Sequence, residues 1–330
     1  MGRLAPDGWL EWMPAGSELA GMRNLVADDL VGDDAVASVA GPDIEVGRTE
    51  IPRIRPILVA LAARATGAHA VNQEAQHAAE MLHLALRVHD LALGREGGRR
   101  RRMARRLVSQ SVGWLAGNHL TLRALELSRT TDHPGVLEEL VDTLRSFADA
   151  QALSRDLVGK RPQVADWLDH ADAHTGALFA FCCRVGGHLG RARLRQVVAL
   201  GRYGRHLGRQ WHIAEDICAF DQGHAAQHVL SRAASGRPAL PLISAIGQTE
   251  GIADEWRELA RRPTLDGAER VALAVSKGGL AASREALLRE SWLARQSLKA
   301  LPDTPYRAAM DRFAGAIAKA CIQHGSTKRG

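Results

Sequence analysis

Apolar residues recur at three- and four-residue spacing through much of this chain, the pattern of helices that bury one face. Val136, Leu137, Leu140, Val141, Leu144 and Phe147 form such a face behind Pro134, which suits a first helical turn. Leu58, Leu61 and Ala62 set up another. The stretches 79–94 and 203–221 read as two more. Further helices are predicted around 164–186, 191–220, 223–233, 249–261, 267–275, 281–299 and 305–323. Gly159, Gly187, Gly236 and Gly247 punctuate several of them. Alternating runs rich in valine, isoleucine and aromatic residues are scarce, so the expected fold is all-α. Residues 1–45, with Pro6, Pro14, Gly16, Gly41 and Pro42, read as a variable N-terminal extension plus a first helix. Residues 46–330 read as one helical domain. There is no internal repeat and no low-complexity tail.

Composition narrows the class. The chain has 330 residues and 46% of them are hydrophobic, enough for one large helical core. Four cysteines, two of them adjacent at Cys182 and Cys183, match no disulfide or zinc spacing, so reduced thiols are expected. The N-terminus lacks a basic segment followed by an apolar run, and Pro6 breaks the myristoylation pattern. Arg64 interrupts the most apolar stretch, 56–71, so no membrane span is expected. A cytoplasmic protein is the reading.

The formal net charge is +6, and the densest basic run is 99–106, with Arg99, Arg100, Arg101, Arg102, Arg105 and Arg106. No aromatic interleaving or recognised nucleic-acid motif accompanies it, so no nucleic-acid partner is expected. A solvated loop after Gly97 and Gly98 is the plain alternative for most of these arginines.

Two helical segments carry the candidate chemistry. The first holds Asp90, followed by Leu91, Ala92, Leu93 and Gly94; the second holds Glu215, Asp216 and Asp221. Residues at i and i+4 share a helix face. Both segments resemble the Asp-Asp-x-x-Asp helices of the trans-isoprenyl diphosphate synthase (polyprenyl synthetase) family, with most of the aspartates replaced.

Other segments follow in the family's order. Arg53-Ile54-Arg55-Pro56 resembles the family's Gly-Gly-Lys-Arg-x-Arg-Pro stretch, with Pro52 at the lysine. His83 matches the histidine that contacts isopentenyl diphosphate. Gly117-Asn118-His119-Leu120 stands for Gly-Asp-Tyr-Leu, Ala150-Gln151 for Gly-Gln, and His174-Thr175-Gly176-Ala177-Leu178-Phe179 for Lys-Thr-x-x-Leu-Phe. Gly236-Arg237-Pro238-Ala239-Leu240-Pro241 resembles Gly-Lys-x-Thr-Leu-Pro.

The resemblance implies an isoprenoid synthase-type helical bundle around a central cavity, with Asp90 and Asp216 on facing helices. It implies prenyl diphosphates as ligands, with Arg53, His83, Arg99, Arg100, His174 and Arg237 against diphosphate. It implies Asp90, Glu215 and Asp216 at a weak Mg²⁺ site, and a dimer, either a homodimer or a heterodimer with an intact prenyl synthase. Ala85 and Leu86, where the family sets product length, leave room for a chain longer than ten carbons.

The bland alternatives stay open at each position. Asp90 also fits a satisfied structural carboxylate, and Glu215 with Asp216 a solvated acidic turn. His170, Asp172 and His174 also fit part of a zinc site, without a third ligand at suitable spacing. His77, His89-Asp90 and Asp221 mimic the ligand set of HD-type phosphohydrolases. Elongation must ionise an allylic diphosphate, and Mg²⁺ supplies much of the charge stabilisation for that leaving group. With the carboxylates thinned, the expectation is a non-catalytic or weakly active subunit of a heteromeric prenyl diphosphate synthase. The alternative is a diverged stand-alone terpene cyclase or prenyltransferase with an unusual metal site.

Overall fold

The computed structural model of the chain describes residues 54–70, 72–92, 110–221, 225–237 and 239–326. The expectations for residues 1–45, Arg53, Arg99 and Arg100 lie outside the described residues, as does that for the Asp221 side chain. All regular structure among the described residues is helical, as the periodicity predicted.

Helix α1, Ile54–Ala65, is buried almost all round, with Ile54, Ile57, Leu58, Val59, Leu61 and Ala62 in the core. A helix apolar on every side belongs in the middle of a bundle. It packs on α2 (Gln73–Ala92), on α6 (Ala177–Leu189) and on the last helix, α13 (Pro305–Ser326). Helix α3, Gln110–Arg129, runs against α2, and α4, Pro134–Asp156, begins with proline in its first turn.

The stretch predicted as one helix over 164–186 is three pieces. Helix α5, Val164–Ala171, starts with a capping box in which the Gln163 backbone N–H donates to Asp166 Oδ2 at 2.7 Å. A π-helical turn, Asp172–Gly176, follows and leads into α6. The π turn joins two short helices without a glycine–proline break or a polar loop, so the sequence reads straight through it.

Helix α7, Leu194–Asp221, has 28 residues and so spans ~42 Å. It lies between α6 on one side and α12 (Leu280–Ser297) with α13 on the other. Its approach to α6 depends on Gly208, where an added Cβ would stand 2.6 Å from the Thr175 carbonyl oxygen. Gly204 is crowded in the same way by the Phe179 carbonyl. The π turn is thereby pressed against the middle of α7.

Helices α8 (Ala225–Ser235), α9 (Leu240–Gln248), α10 (Ile252–Arg261) and α11 (Leu265–Ala274) form the remaining layer beside α7. Helix α9 escaped the sequence reading. Leu240, Pro241, Leu242, Ile243, Ala245 and Ile246 are all buried, so this short helix has too little polar face for a 3.6-residue period to show. Cys182, Cys183, Cys218 and Cys321 are all buried and form no disulfide with one another. Among the described residues no helix is long and apolar enough to cross a membrane.

Candidate functional site

Asp90 sits in the last turn of α2 with 3% of its surface exposed. Three side chains from three other parts of the chain close on it. Gln151 Nε2, from α4, donates to Oδ1 at 2.6 Å. His174 Nε2, from the π turn, stands 3.2 Å from Oδ2. Arg237, just beyond α8, donates to Oδ1 through Nη2. Burial pushes the Asp90 pKa up, but the Arg237 charge and the His174 and Arg237 hydrogen bonds outweigh it and hold the carboxyl well below its usual range. The carboxylate is ionised and fully engaged.

Asp216, near the end of α7, is completely buried. Arg232 of α8 donates to its Oδ1 through Nη2, and His228 Nε2 of the same helix lies 3.6 Å from that oxygen. Burial raises the Asp216 pKa, but Arg232 and then His228 outweigh it and bring it down to about 2. Its second oxygen, Oδ2, is buried with no hydrogen-bond partner.

The backbone turn after α8 places Arg237 on Asp90. Gly236 adopts φ +65°, in the left-handed region, and an added Cβ there would run into the Ser154 carbonyl oxygen. Only glycine fits both conditions. The turn swings Arg237 from the Asp216 side, where Arg232 is placed, to Asp90.

Histidines join the two pairs. The His174 ring stacks on His170 with centroids 5.6 Å apart, and His170 meets His212 edge-on at 5.8 Å. His212 precedes Asp216 by four residues on α7, hence on the same face. His170 Nδ1 is 3.1 Å from Ser154 Oγ, and His212 Nδ1 is 3.3 Å from Thr175 Oγ1. Burial pushes the His170 pKa well below 6.5. Burial likewise takes His212 to about 3, with Asp216 opposing the shift and Arg232, His174 and Arg237 reinforcing it. Both rings are neutral at pH 7.

The π turn is clamped from outside. Arg209 of α7 donates to Asp172 Oδ1 and Oδ2 at 2.5 Å each, in a two-pronged pair. His206 Nδ1 contacts Glu290 Oε2 of α12 at 2.7 Å. His170, Asp172 and His174 therefore face three different partners and do not converge as the zinc reading required. Among the described residues no group of three His, Cys, Asp or Glu side chains is placed to hold a metal ion.

The remaining candidates divide. Glu215 is exposed and accepts from Trp211 Nε1 at 2.9 Å, because adjacent residues on a helix point about 100° apart. It does not join Asp216. His83 is half-buried, its pKa driven well down by desolvation and by the charges of Arg55 and Arg87. The Arg55 guanidinium lies 5.5 Å over the Phe179 ring. His89 packs on Trp114 at 5.1 Å, away from its neighbour Asp90's partners. Arg232, His212 and His228 were not among the sequence candidates, and His170 was read only as part of a zinc site. Arg232 lies 16 residues beyond Asp216, across a helix break, and no sequence spacing rule spans that gap.

A model of the polyprenyl synthetase family matches residues 52–274. The chain belongs to that family. It is similar to the all-trans-nonaprenyl-diphosphate synthase (geranyl-diphosphate specific) of Rhodobacter capsulatus, 28% identical over 310 residues, covering 90% of this chain and 93% of that one. It is 26% identical over 306 residues to the octaprenyl diphosphate synthase of Escherichia coli K12, covering 89% and 93%. A solved polyprenyl synthase of Caulobacter crescentus CB15, complexed with calcium and isoprenyl diphosphate, superposes with TM-score 0.83 at 23% identity, over 96% of this chain and 99% of that one. The fold is thus the polyprenyl synthase helical bundle, and membership of this family displaces the HD-type phosphohydrolase reading.

Polyprenyl synthetases normally use Mg²⁺. The residues of this chain do not fit it. Mg²⁺ needs carboxylate oxygens free to coordinate in octahedral geometry. Both Asp90 oxygens are taken by basic or amide groups, Arg232 holds Asp216 Oδ1, and Glu215 faces away, so of the two buried aspartates only Asp216 Oδ2 is left open, too few ligands for an octahedral ion. A guanidinium stands beside each of the two buried aspartates.

Proposed function

We propose that this polyprenyl synthetase binds prenyl diphosphates but elongates them weakly or not at all, and works as a subunit beside an intact prenyl synthase. One observation carries the reading: Asp90 and Asp216, on the two helices where the family gathers its metal, are each neutralised by an arginine of the same chain. Ionising an allylic diphosphate requires charge stabilisation that grows as the leaving group departs. A guanidinium already committed to a buried carboxylate supplies less of it than a metal whose coordination is completed by the substrate. The retained bundle still offers the family's apolar core, with Ala85 and Leu86 buried below Asp90 on α2.

The test is incubation of purified protein with allylic diphosphates, with and without isopentenyl diphosphate and Mg²⁺, reading both products and released diphosphate. Little or no product is expected. Robust elongation by the chain alone overturns the reading. Co-expression with an intact synthase of the same genome, followed by pull-down, tests the heteromeric part; a pair burying more than about 1,000 Å² survives gel filtration.

A second reading has its own support. Arg232 and Arg237 place two cations beside the site, and cations can stabilise a leaving diphosphate in a diverged cyclase or prenyltransferase. Release of diphosphate from an allylic substrate without isopentenyl diphosphate favours it.

A further inference from the structure

We propose that this site has exchanged divalent cations for guanidinium groups, and binds the diphosphate group of its ligand directly through Arg232 and Arg237, independently of Mg²⁺. The proposal rests on the reading of a prenyl diphosphate ligand and adds how its charged end is held.

Charge is the first argument. Asp90 and Asp216 would be the metal-gathering groups, yet each already carries a full positive charge beside it. A Mg²⁺ ion brought to either carboxylate meets an arginine at contact distance, and like charges in a buried setting repel strongly. A diphosphate meets the opposite field. Each aspartate is paired with one arginine, so the two pairs balance their charges, and the rings of His170 and His212 lie between them. An incoming polyanion therefore finds donors without first finding net negative charge.

Unspent donors are the second argument. Arg237 reaches Asp90 through Nη2, while its Nε is buried without a hydrogen-bond partner. Arg232 holds Asp216 through Nη2 and donates from Nε to His228 Nε2 at 3.3 Å. His212 Nε2, between the two pairs, is also buried and unpartnered. Buried polar atoms without partners are uncommon and call for a ligand or a water. A guanidinium presents five donors in a planar fork, so one edge can stay on a carboxylate while another takes phosphate oxygens.

Preorganisation is the third. Arg237 is fixed by the Gly236 turn, and its side chain is 11% exposed; Arg232 is 14% exposed on a packed helix. His174, which completes the Asp90 contacts, is held in a π turn that Arg209 clamps through Asp172. The donors are set before the ligand arrives, and sites of that kind spend little binding energy on ordering.

The experiment is calorimetric titration of the full-length protein with inorganic pyrophosphate and with a twenty-carbon prenyl diphosphate, each in EDTA and in Mg²⁺. We expect binding in EDTA with an affinity within about threefold of that in Mg²⁺, and no heat from Mg²⁺ alone. Arg237→Gln and Arg232→Gln should each weaken binding at least tenfold in EDTA, with Arg237→Lys recovering part of the loss. Binding seen only with Mg²⁺, absence of binding in both buffers, or variants that are folded yet bind like the parent each overturn the proposal. The wild-type EDTA arm decides even if a variant fails to fold. Failure here leaves the elongation assay untouched: binding seen only with Mg²⁺ removes this site and keeps the prenyl diphosphate reading, whereas a chain that binds neither ligand in either buffer loses that ligand too and keeps only its reading as an inactive subunit.

Discussion

Arg237 and Asp90 are 147 residues apart in sequence and form a buried ion pair that joins the end of α2 to the turn after α8. Gln151 and His174 complete the carboxylate's shell, so four separate segments meet on one aspartate. Asp90 belongs to the segment that resembles the family's first acidic helix. The energetics of the pair make it accessible to direct tests.

Arg237→Met should destabilise the fold by about 3 kcal/mol, because it leaves a buried carboxylate with only amide and histidine partners. Replacing both partners, as Asp90→Asn with Arg237→Met, should recover most of that loss, since no charge is then buried alone. Urea denaturation of the two single variants and the double variant measures the coupling. Additive losses would show that the pair does not act as a unit.

Gly236→Ala should cost about 1–3 kcal/mol through its left-handed backbone and its overlap with the Ser154 carbonyl. It should also displace Arg237, so pyrophosphate affinity should fall along with the melting temperature. Gly247→Ala, where an added Cβ meets nothing within 4 Å, is the matched control and should be close to neutral.

Stability should fall on mild acidification, beginning near pH 6.5. His212 has a folded pKa of about 3, depressed by burial, with Asp216 opposing and Arg232, His174 and Arg237 adding to the depression. Between pH ~6.5 and ~3 the unfolded chain binds the proton that the folded ring refuses, so unfolding is favoured as pH drops. His170 adds to the same slope. The aspartates act lower: Asp216, at about 2, gives stability that is whole above pH ~4 and is lost as pH falls through its folded value. His212→Gln should flatten the slope between pH 6.5 and 5 in urea titrations. An unchanged slope would assign the acid sensitivity to other groups.

Mg²⁺ should leave the melting temperature of the free protein unchanged to within about 1 °C, since a ligand stabilises only by binding the folded state. A rise that grows with Mg²⁺ concentration and disappears in Asp216→Asn would restore a metal to the second acidic helix.

The affinity for prenyl diphosphates should increase from ten to twenty carbons. Ala85 and Leu86 are small or flexible and buried one turn or so before Asp90 on α2. Each buried methylene adds roughly 0.8 kcal/mol if the apolar core opens to receive it. Equal affinity for ten- and twenty-carbon ligands would place the chain outside the bundle.

The helical class and the family were legible in the sequence, because each depends on local period or on short segments kept in order. Helix α7 could be read from its spacing, and His174 and Arg237 from the segments that carry them. The sequence alone also said that too few carboxylates remain in the two acidic helices. Which side chains pair with the two aspartates was decided by tertiary structure. Arg232 reaches Asp216 across a helix break, Arg237 crosses to Asp90 only because Gly236 turns the backbone left-handed, and Glu215 points away from its own neighbour. The π turn that carries His174 onto Asp90 is a shift in hydrogen-bond register that leaves composition unchanged. Charge pairing between distant segments depends on separations of a few ångströms, and those separations exist only once the helices have packed.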